Sequence, residues 1–316
     1  MPSKPGEAGT PATTEVTVIG GYLGAGKTTL VNHILRTADT TVAVLVNDFG
    51  DINIDEELIE SEDGDTISLA NGCICCSLVD GFAAALTTIS ELDPVPQRLV
   101  IEASGVADPG SVAAYGHGPG LTLDAVVVVV DGETVKAKSS DKYVGDTVLG
   151  QLRSADIIVL NKLDLIDDQR ADELRSWLQQ KSPEAVVHGA TNSEIDPALL
   201  FGRVAARLSS SSYSTPNHAS TAEAVFQSWS WESSKAVERT AVERIMSDLP
   251  ESVVRAKGVV ALTETPDTYT VLQRVGKRWS LRPGGPLPEG GRSQLVFIGT
   301  TDAIDDDWLR AQLGQG

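Results

Sequence analysis

Cysteine is nearly absent from this chain. Three occur in 316 residues, and all three lie between positions 73 and 76. No long-range disulfide framework can be built from so tight a group, which fits a reducing compartment. Positive charge is also scarce. Lys and Arg number 25 against 44 Asp and Glu, so the formal net charge is 25 − 44 = −19. Broad binding to a nucleic-acid backbone needs basic surface and is excluded as a main activity. A local nucleotide site is not. Charge of this size repels itself and is screened by salt. Histidine is limited to His33, His117, His188 and His218, with no ligand spacing among them. Long apolar runs are missing too. The longest uninterrupted aliphatic stretch, residues 125–130, is far too short to cross a bilayer. Residues 1–14 are rich in Pro, Gly and Thr and read as a disordered tail, with no secretory signal. A cytoplasmic protein without a membrane partner is expected.

What remains is ordinary for a folded protein, with 41% hydrophobic and 22% charged residues. Short apolar strands are expected at 16–20, 41–46, 98–101, 123–130, 156–160 and, weakly, 186–187. Helical spacing marks 27–36, 78–92, 167–180 and 197–208, and residues 47–55 read as an acidic loop. Strands alternating with helices imply an α/β fold: a P-loop NTPase parallel sheet with helices on both faces. The Ser/Thr-rich stretch 209–222 reads as a linker. Beyond it, strands at 225–231, 258–262, 269–275, 278–281 and 295–299 and helices at 237–248 and 305–313 predict a smaller α+β C-terminal domain, residues 223–316. The first domain then covers 15–208.

Three motifs carry chemistry. The first runs Gly21-Tyr22-Leu23-Gly24-Ala25-Gly26-Lys27-Thr28 and fits G-x-x-x-x-G-K-[ST] between a strand and a helix. Glycines let successive backbone N–H groups turn inward as an anion nest, and the helix N-terminus adds a positive dipole end. Lys27 is expected on the β- and γ-phosphates, Thr28 on Mg²⁺ and Thr29 on the α-phosphate. The second motif, Asn161-Lys162-Leu163-Asp164, closes a strand and resembles the N-K-x-D guanine reader. An Asp164 carboxylate accepts from guanine N1–H and N2–H₂; adenine would leave it desolvated and unpaired. Asn161 is expected to meet guanine N7 and tether the phosphate loop, and the Lys162 stem to cover the base. Glu102 and Gly105, in Glu102-Ala103-Ser104-Gly105, stand where an Asp-x-x-Gly segment handles metal-bound water and the γ-phosphate. Asp48, Asp51 and Asp55 are switch candidates. Asp131 reads as a cap for the helix after it.

The third motif is Cys73-Ile74-Cys75-Cys76. In extended chain, residues 73 and 75 share a side, and soft thiolates favour zinc or copper(I). Three thiolates leave a tetrahedral site one ligand short, an opening suited to metal exchange. Small buried hydrophobes and a redox sensor are the other readings.

Taken together, the segments GGYLGAGKTTLVNHIL, VNDFGDINID, NGCICCSL, IEASGVADP and NKLDL resemble the CobW-type GTPases. That is a family of metallochaperones related to the nickel-insertion GTPases of urease and hydrogenase maturation. In the second domain VVRAKGVV, Trp279 and LVFIG carry the likeness. The resemblance implies nucleotide contacts from Gly24 to Thr29, base contacts from Asn161 to Asp164, and metal contacts at Cys73, Cys75 and Cys76. It implies GTP and Mg²⁺ as cofactors, Zn²⁺ or, next, Co²⁺ as the ion, and a metal-receiving client protein. Hydrolysis is expected to be slow unaided, with Lys27, Thr28, Asp48 and Glu102 as its residues. The family more often has Glu at positions 48 and 51, and the linker here holds only His218, against a storage role. A P-loop ATPase or kinase and a non-catalytic metal-sensing module are the alternatives. The sequence leaves the oligomeric state open.

Overall fold

The computed structural model describes residues 13–38, 40–46, 86, 89, 92, 94–201, 226–287, 293–300, 308 and 311–312. Those of Met1–Ser182 and Val187–Ile195 form one compact unit, and those of Pro183–Val186 and Asp196–Gly316 the other. The linker at 209–222, most of the helix expected at 78–92 and most of that at 305–313 lie outside the described residues.

The first unit is built on a six-stranded sheet. Its strands are β1 (Thr14–Gly20), β2 (Val42–Val46), β3 (Arg98–Glu102), β4 (Leu121–Asp131), β5 (Ile157–Asn161) and β6 (Val186–Gly189), in the order β2-β3-β1-β4-β5-β6. The β2/β3, β3/β1, β1/β4 and β4/β5 pairs are parallel. Strands covered on both faces should be largely apolar, as β2, the centre of β4 and β5 are. In β4 every residue from Leu123 to Asp131 is buried, including the five consecutive valines. Each fully buried Val, Leu or Ile contributes about 1.5–3 kcal/mol.

Between the strands lie α1 (Lys27–Thr37), α2 (Pro109–Ala113), α3 (Val135–Ser139), α4 (Gly145–Arg153) and α5 (Asp168–Lys181). α1 buries Leu30, Val31 and Ile34, the i, i+1, i+4 stripe of one helical face. α5 starts on Asp167, whose side chain accepts from the Arg170 N–H at 2.7 Å. The register decides where chemistry can occur. Ile19 pairs with Glu102, and Asp131 pairs with Asn161. These acids and amides therefore end adjacent strands at the same edge. β1 is flanked by β3 on one side and β4 on the other, so this edge is the crevice where open α/β sheets bind ligands.

The second unit holds the short helix α6 (Pro197–Phe201) and an antiparallel sheet. Its strands are β7 (Phe226–Ser233), β8 (Val253–Leu262), β9 (Thr265–Val275), β10 (Arg278–Pro286) and β11 (Ser293–Thr300), ordered β10-β9-β8-β11-β7. The helix α7 (Arg239–Asp248) buries Val242, Ile245 and Met246 against Leu272, Leu295 and Phe297. Arg274 lies in this core and donates to the carbonyls of Val253 at 2.7 Å and Leu249 at 3.5 Å. Leu249 caps α7, so the guanidinium closes the helix C-terminus where cations are favoured. Burial pushes its pKa down to about 10, which still leaves it charged at neutral pH. Among the described residues, no helix is long and apolar enough to cross a membrane.

Candidate nucleotide site

The loop after β1 has the backbone that its glycines predicted. Gly21, Gly24 and Gly26 all have positive φ, at 133°, 76° and 108°. Gly26 needs its hydrogen for a further reason: a Cβ there would collide with the Asn161 side-chain amide. Gly26 also caps α1, contributing no side-chain cap bond of its own, and the first turn holds no acid. An eleven-residue helix thus opens on a glycine with no acid in its first turn, an arrangement suited to phosphate. Lys27 is buried at the start of that helix, and Thr29 is exposed.

Asn161 ends β5 and locks three segments together. Its Nδ2 donates to the Ala25 carbonyl at 2.9 Å, and its Oδ1 accepts from the Ser193 N–H at 2.7 Å. Ser193 in turn donates through Oγ to the Gly26 carbonyl at 2.9 Å. The tether between Asn161 and the phosphate loop is thus the one the sequence predicted. Ser193 was not predicted. It is fully buried and, like Asn192, left-handed, with φ of 56°. No local sequence signal marks a serine thirty-two positions downstream. His33, one of the histidines without ligand spacing in the sequence, joins the same frame: its Nε2 meets the Ile195 carbonyl at 2.8 Å. α1 is thereby bonded to the end of the loop that carries Ser193.

Lys162 is left-handed, with φ of 63°, and Asp164 is exposed in the 3-10 turn Leu163–Leu165. The Lys162 ammonium donates to Asp131 Oδ2 at 2.7 Å. Asp131 Oδ1 accepts from the Glu133 and Thr134 amides at 2.9 and 3.3 Å, so it caps the turn before α3 and not the helix itself as expected, because Thr134 is the helix N-cap. Burial works against the Asp131 charge. The hydrogen bond and charge of Lys162, with those two amides, outweigh it and hold the carboxyl below the usual carboxylate range.

On the other side of the loop, Thr28 Oγ1 donates to Glu102 Oε1 at 3.0 Å. Strand β3 runs one residue further than expected, which makes Glu102 its buried last residue. A hydroxyl and a carboxylate oxygen held together beside the phosphate loop are the hard donors Mg²⁺ takes, so these residues fit that ion. The segment after Glu102 is pinned. Gln151 on α4 donates to the carbonyls of Gly105 at 3.0 Å and Ala107 at 2.9 Å. Gly105 lies so close to Leu23 that a Cβ would collide with it. Asp108 caps α2 and accepts from Gly110 N–H, Ser111 Oγ and Ser154 Oγ. Burial opposes the Asp108 charge, but these bonds prevail and lower its pKa.

Asp48, Asp51, Asp55, Cys73, Cys75 and Cys76 lie outside the described residues. Among the described residues, no group of three or more His, Cys, Asp or Glu could hold a metal ion.

Comparison with known proteins places this geometry. A family model described as the CobW/HypB/UreG nucleotide-binding domain matches residues 15–188. A second, the cobalamin synthesis protein cobW C-terminal domain, matches residues 226–315. The zinc chaperone YjiA of Escherichia coli K12 is 31% identical over 304 residues, spanning 90% of this chain and 93% of its own. The zinc chaperone CobW of a Sinorhizobium species is 34% identical over 217 residues, 59% of this chain and 61% of that one. The chain thus spans less than two thirds of that relative's length. The crystal structure of Zn(II)-bound YjiA GTPase aligns over 95% of this chain and 98% of its own at 25% identity, with a TM-score of 0.45.

Proposed function

Because this chain belongs to the CobW/HypB/UreG family of GTPases, we propose that it is a cytoplasmic metallochaperone that carries zinc on Cys73, Cys75 and Cys76 and delivers it to a client protein under control of bound GTP. Cobalt is the second candidate ion. The observation that carries the nucleotide half is the Asn161 network: one buried amide bonds the phosphate loop at Ala25 and the Ser193 loop at once. That frame supports a site where Asp164 reads guanine, Lys162 shields the base and Gly24 to Thr29 hold the phosphates. Mg²⁺, held by Thr28 and through water by Glu102, would neutralise charge on the β- and γ-oxygens. Lys27 binds the same oxygens from the helix end. Gly105 and the first switch, with Asp48, complete the γ-phosphate end.

The metal half rests on three thiols within four positions and on relatives named zinc chaperones. Residues 47–55 separate the phosphate-loop helix from the thiols in sequence, so ordering of that segment by GTP can alter the thiol site. A hundredfold change in metal affinity between nucleotide states needs about 2.7 kcal/mol of coupling, within the usual range.

Two titrations test this reading. Cys75→Ser should weaken zinc binding by about a hundredfold or more, as expected for losing one of three thiolate ligands, while leaving GTP binding intact. Unchanged zinc affinity removes the thiolate site. GTP should bind far more tightly than ATP, and equal affinity removes the guanine assignment.

A further inference from the structure

Lys138 belongs to none of the motifs that mark the site. It lies on α3, whose anchor is the buried Val135. Its Nζ donates to the Leu23 carbonyl at 3.3 Å and sits 5.0 Å from the centre of the Tyr22 ring. Both contacts fall inside the phosphate loop, 115 positions earlier in the chain for Leu23. Both partners are neutral, a carbonyl dipole and an aromatic face, so the ammonium brings positive charge to the loop uncancelled by either.

We propose that Lys138 is a positioning residue for GTP hydrolysis. By donating to the Leu23 carbonyl it orients the Leu23–Gly24 peptide so that the Gly24 N–H faces the phosphates. A trans peptide points its C=O and N–H to opposite sides. A cation that fixes the carbonyl on the α3 side therefore fixes the N–H on the other. The adjoining groups are already committed: Ala25 N–H donates to the Tyr22 carbonyl at 3.1 Å, and the Ala25 carbonyl accepts from Asn161. Among the described residues, the Gly24 N–H has no backbone acceptor. A Cβ at Gly24 would meet nothing within 4 Å, so its glycine serves the φ of 76° and not space.

The chemistry gives that N–H a use. In hydrolysis a water oxygen bonds to the γ-phosphorus. The bond from that phosphorus to the β–γ bridging oxygen breaks, and its electron pair stays on GDP. The water's protons end on phosphate and solvent. Negative charge grows on the bridging oxygen and its neighbours as this happens. A peptide whose carbonyl is bonded to a cation is polarised, and its N–H is the stronger donor to that charge.

The inference rests on the GTPase reading of this loop, and its test separates the two. Removing a whole preorganised donor costs about 10²–10³ in kcat; removing only its orientation and polarisation should cost about tenfold. Lys138→Met, and the polar but neutral Lys138→Gln, should each lower kcat by about that factor, with KM within about threefold and melting unchanged. Lys138→Arg should restore kcat. In 15N-glycine-labelled full chain bound to GDP, the Gly24 amide proton should move upfield in the Met variant and not in the Arg variant. A kcat unchanged in both neutral variants, a change confined to KM, or an unmoved Gly24 amide overturns the proposal and leaves the GTPase reading standing. GTP affinity indifferent to Lys27→Ala overturns the loop assignment itself.

Discussion

The two units bury polar side chains for different ends. In the first, Asn161, Ser193, Asp131 and Glu102 converge where adjacent parallel strands stop, and their bonds hold loops in place. In the second, the polar groups of the sheet satisfy that unit's own backbone. Arg274 closes α7, Arg255 donates to the Leu200 carbonyl at 2.7 Å, and Ser293 Oγ accepts from the Ala261 N–H at 2.9 Å. Burial of a polar group is therefore not by itself a mark of function. What the bonds terminate on separates the cases: ligand-ready loops for Asn161, Ser193 and Glu102, and the fold's own carbonyls and amides for Arg274, Arg255 and Ser293, as also for Asp156 and Ser182 in the first unit.

Mutation can sharpen that contrast. The largest effect is expected from Asn161→Ala, which strands the Ala25 carbonyl and the Ser193 N–H. At about 1–3 kcal/mol per buried orphan, GTP affinity should fall by about a hundredfold or more, measured by fluorescent-nucleotide titration. Arg274→Met should lower stability by about 2 kcal/mol in denaturant unfolding yet leave GTP affinity unchanged, because its carbonyl acceptors belong to the second unit. Loss of GTP binding in that variant would break the contrast.

A smaller effect, about 1 kcal/mol, is expected from Asp131→Asn, which removes a mostly buried ion pair but keeps the cap geometry. Its signature is pH. The Asp131 carboxyl is held below its unfolded value. The stability it contributes is therefore fully present above the unfolded Asp value of about 3.9 and is lost as pH falls through the lower folded value. The difference between wild type and Asp131→Asn should thus shrink in acid unfolding below about pH 4 and stay constant from there to neutrality.

Much of the first unit was legible because its signals are local. Five consecutive valines read as a central strand, and the phosphate loop and N-K-x-D segment sit at strand ends as their chemistry requires. α4 was not legible. Gly145 and Gly150 lower its helix propensity, and Val148 and Leu152 give too short a stripe to see. With it went Gln151, whose role exists only once α4 lies against the 105–107 loop. Ser193 was invisible for the same reason, since its meaning comes from a fold-dependent approach to Gly26 and Asn161. In the second unit, strands were expected too short. The strand expected at 278–281 runs on through Pro283 to Pro286, because β10 is an edge strand, where proline costs no ladder bond on its outer side.

The central claim is that nucleotide held in the Asn161 frame controls a thiolate metal site. The most direct measurement is zinc affinity, by competition with a chromogenic chelator, in protein loaded with a non-hydrolysable GTP analogue and with GDP. The account predicts at least about a tenfold difference between the two states, or about 1.4 kcal/mol, lost in Asn161→Ala. Equal zinc affinities in both nucleotide states of the wild-type protein would contradict it.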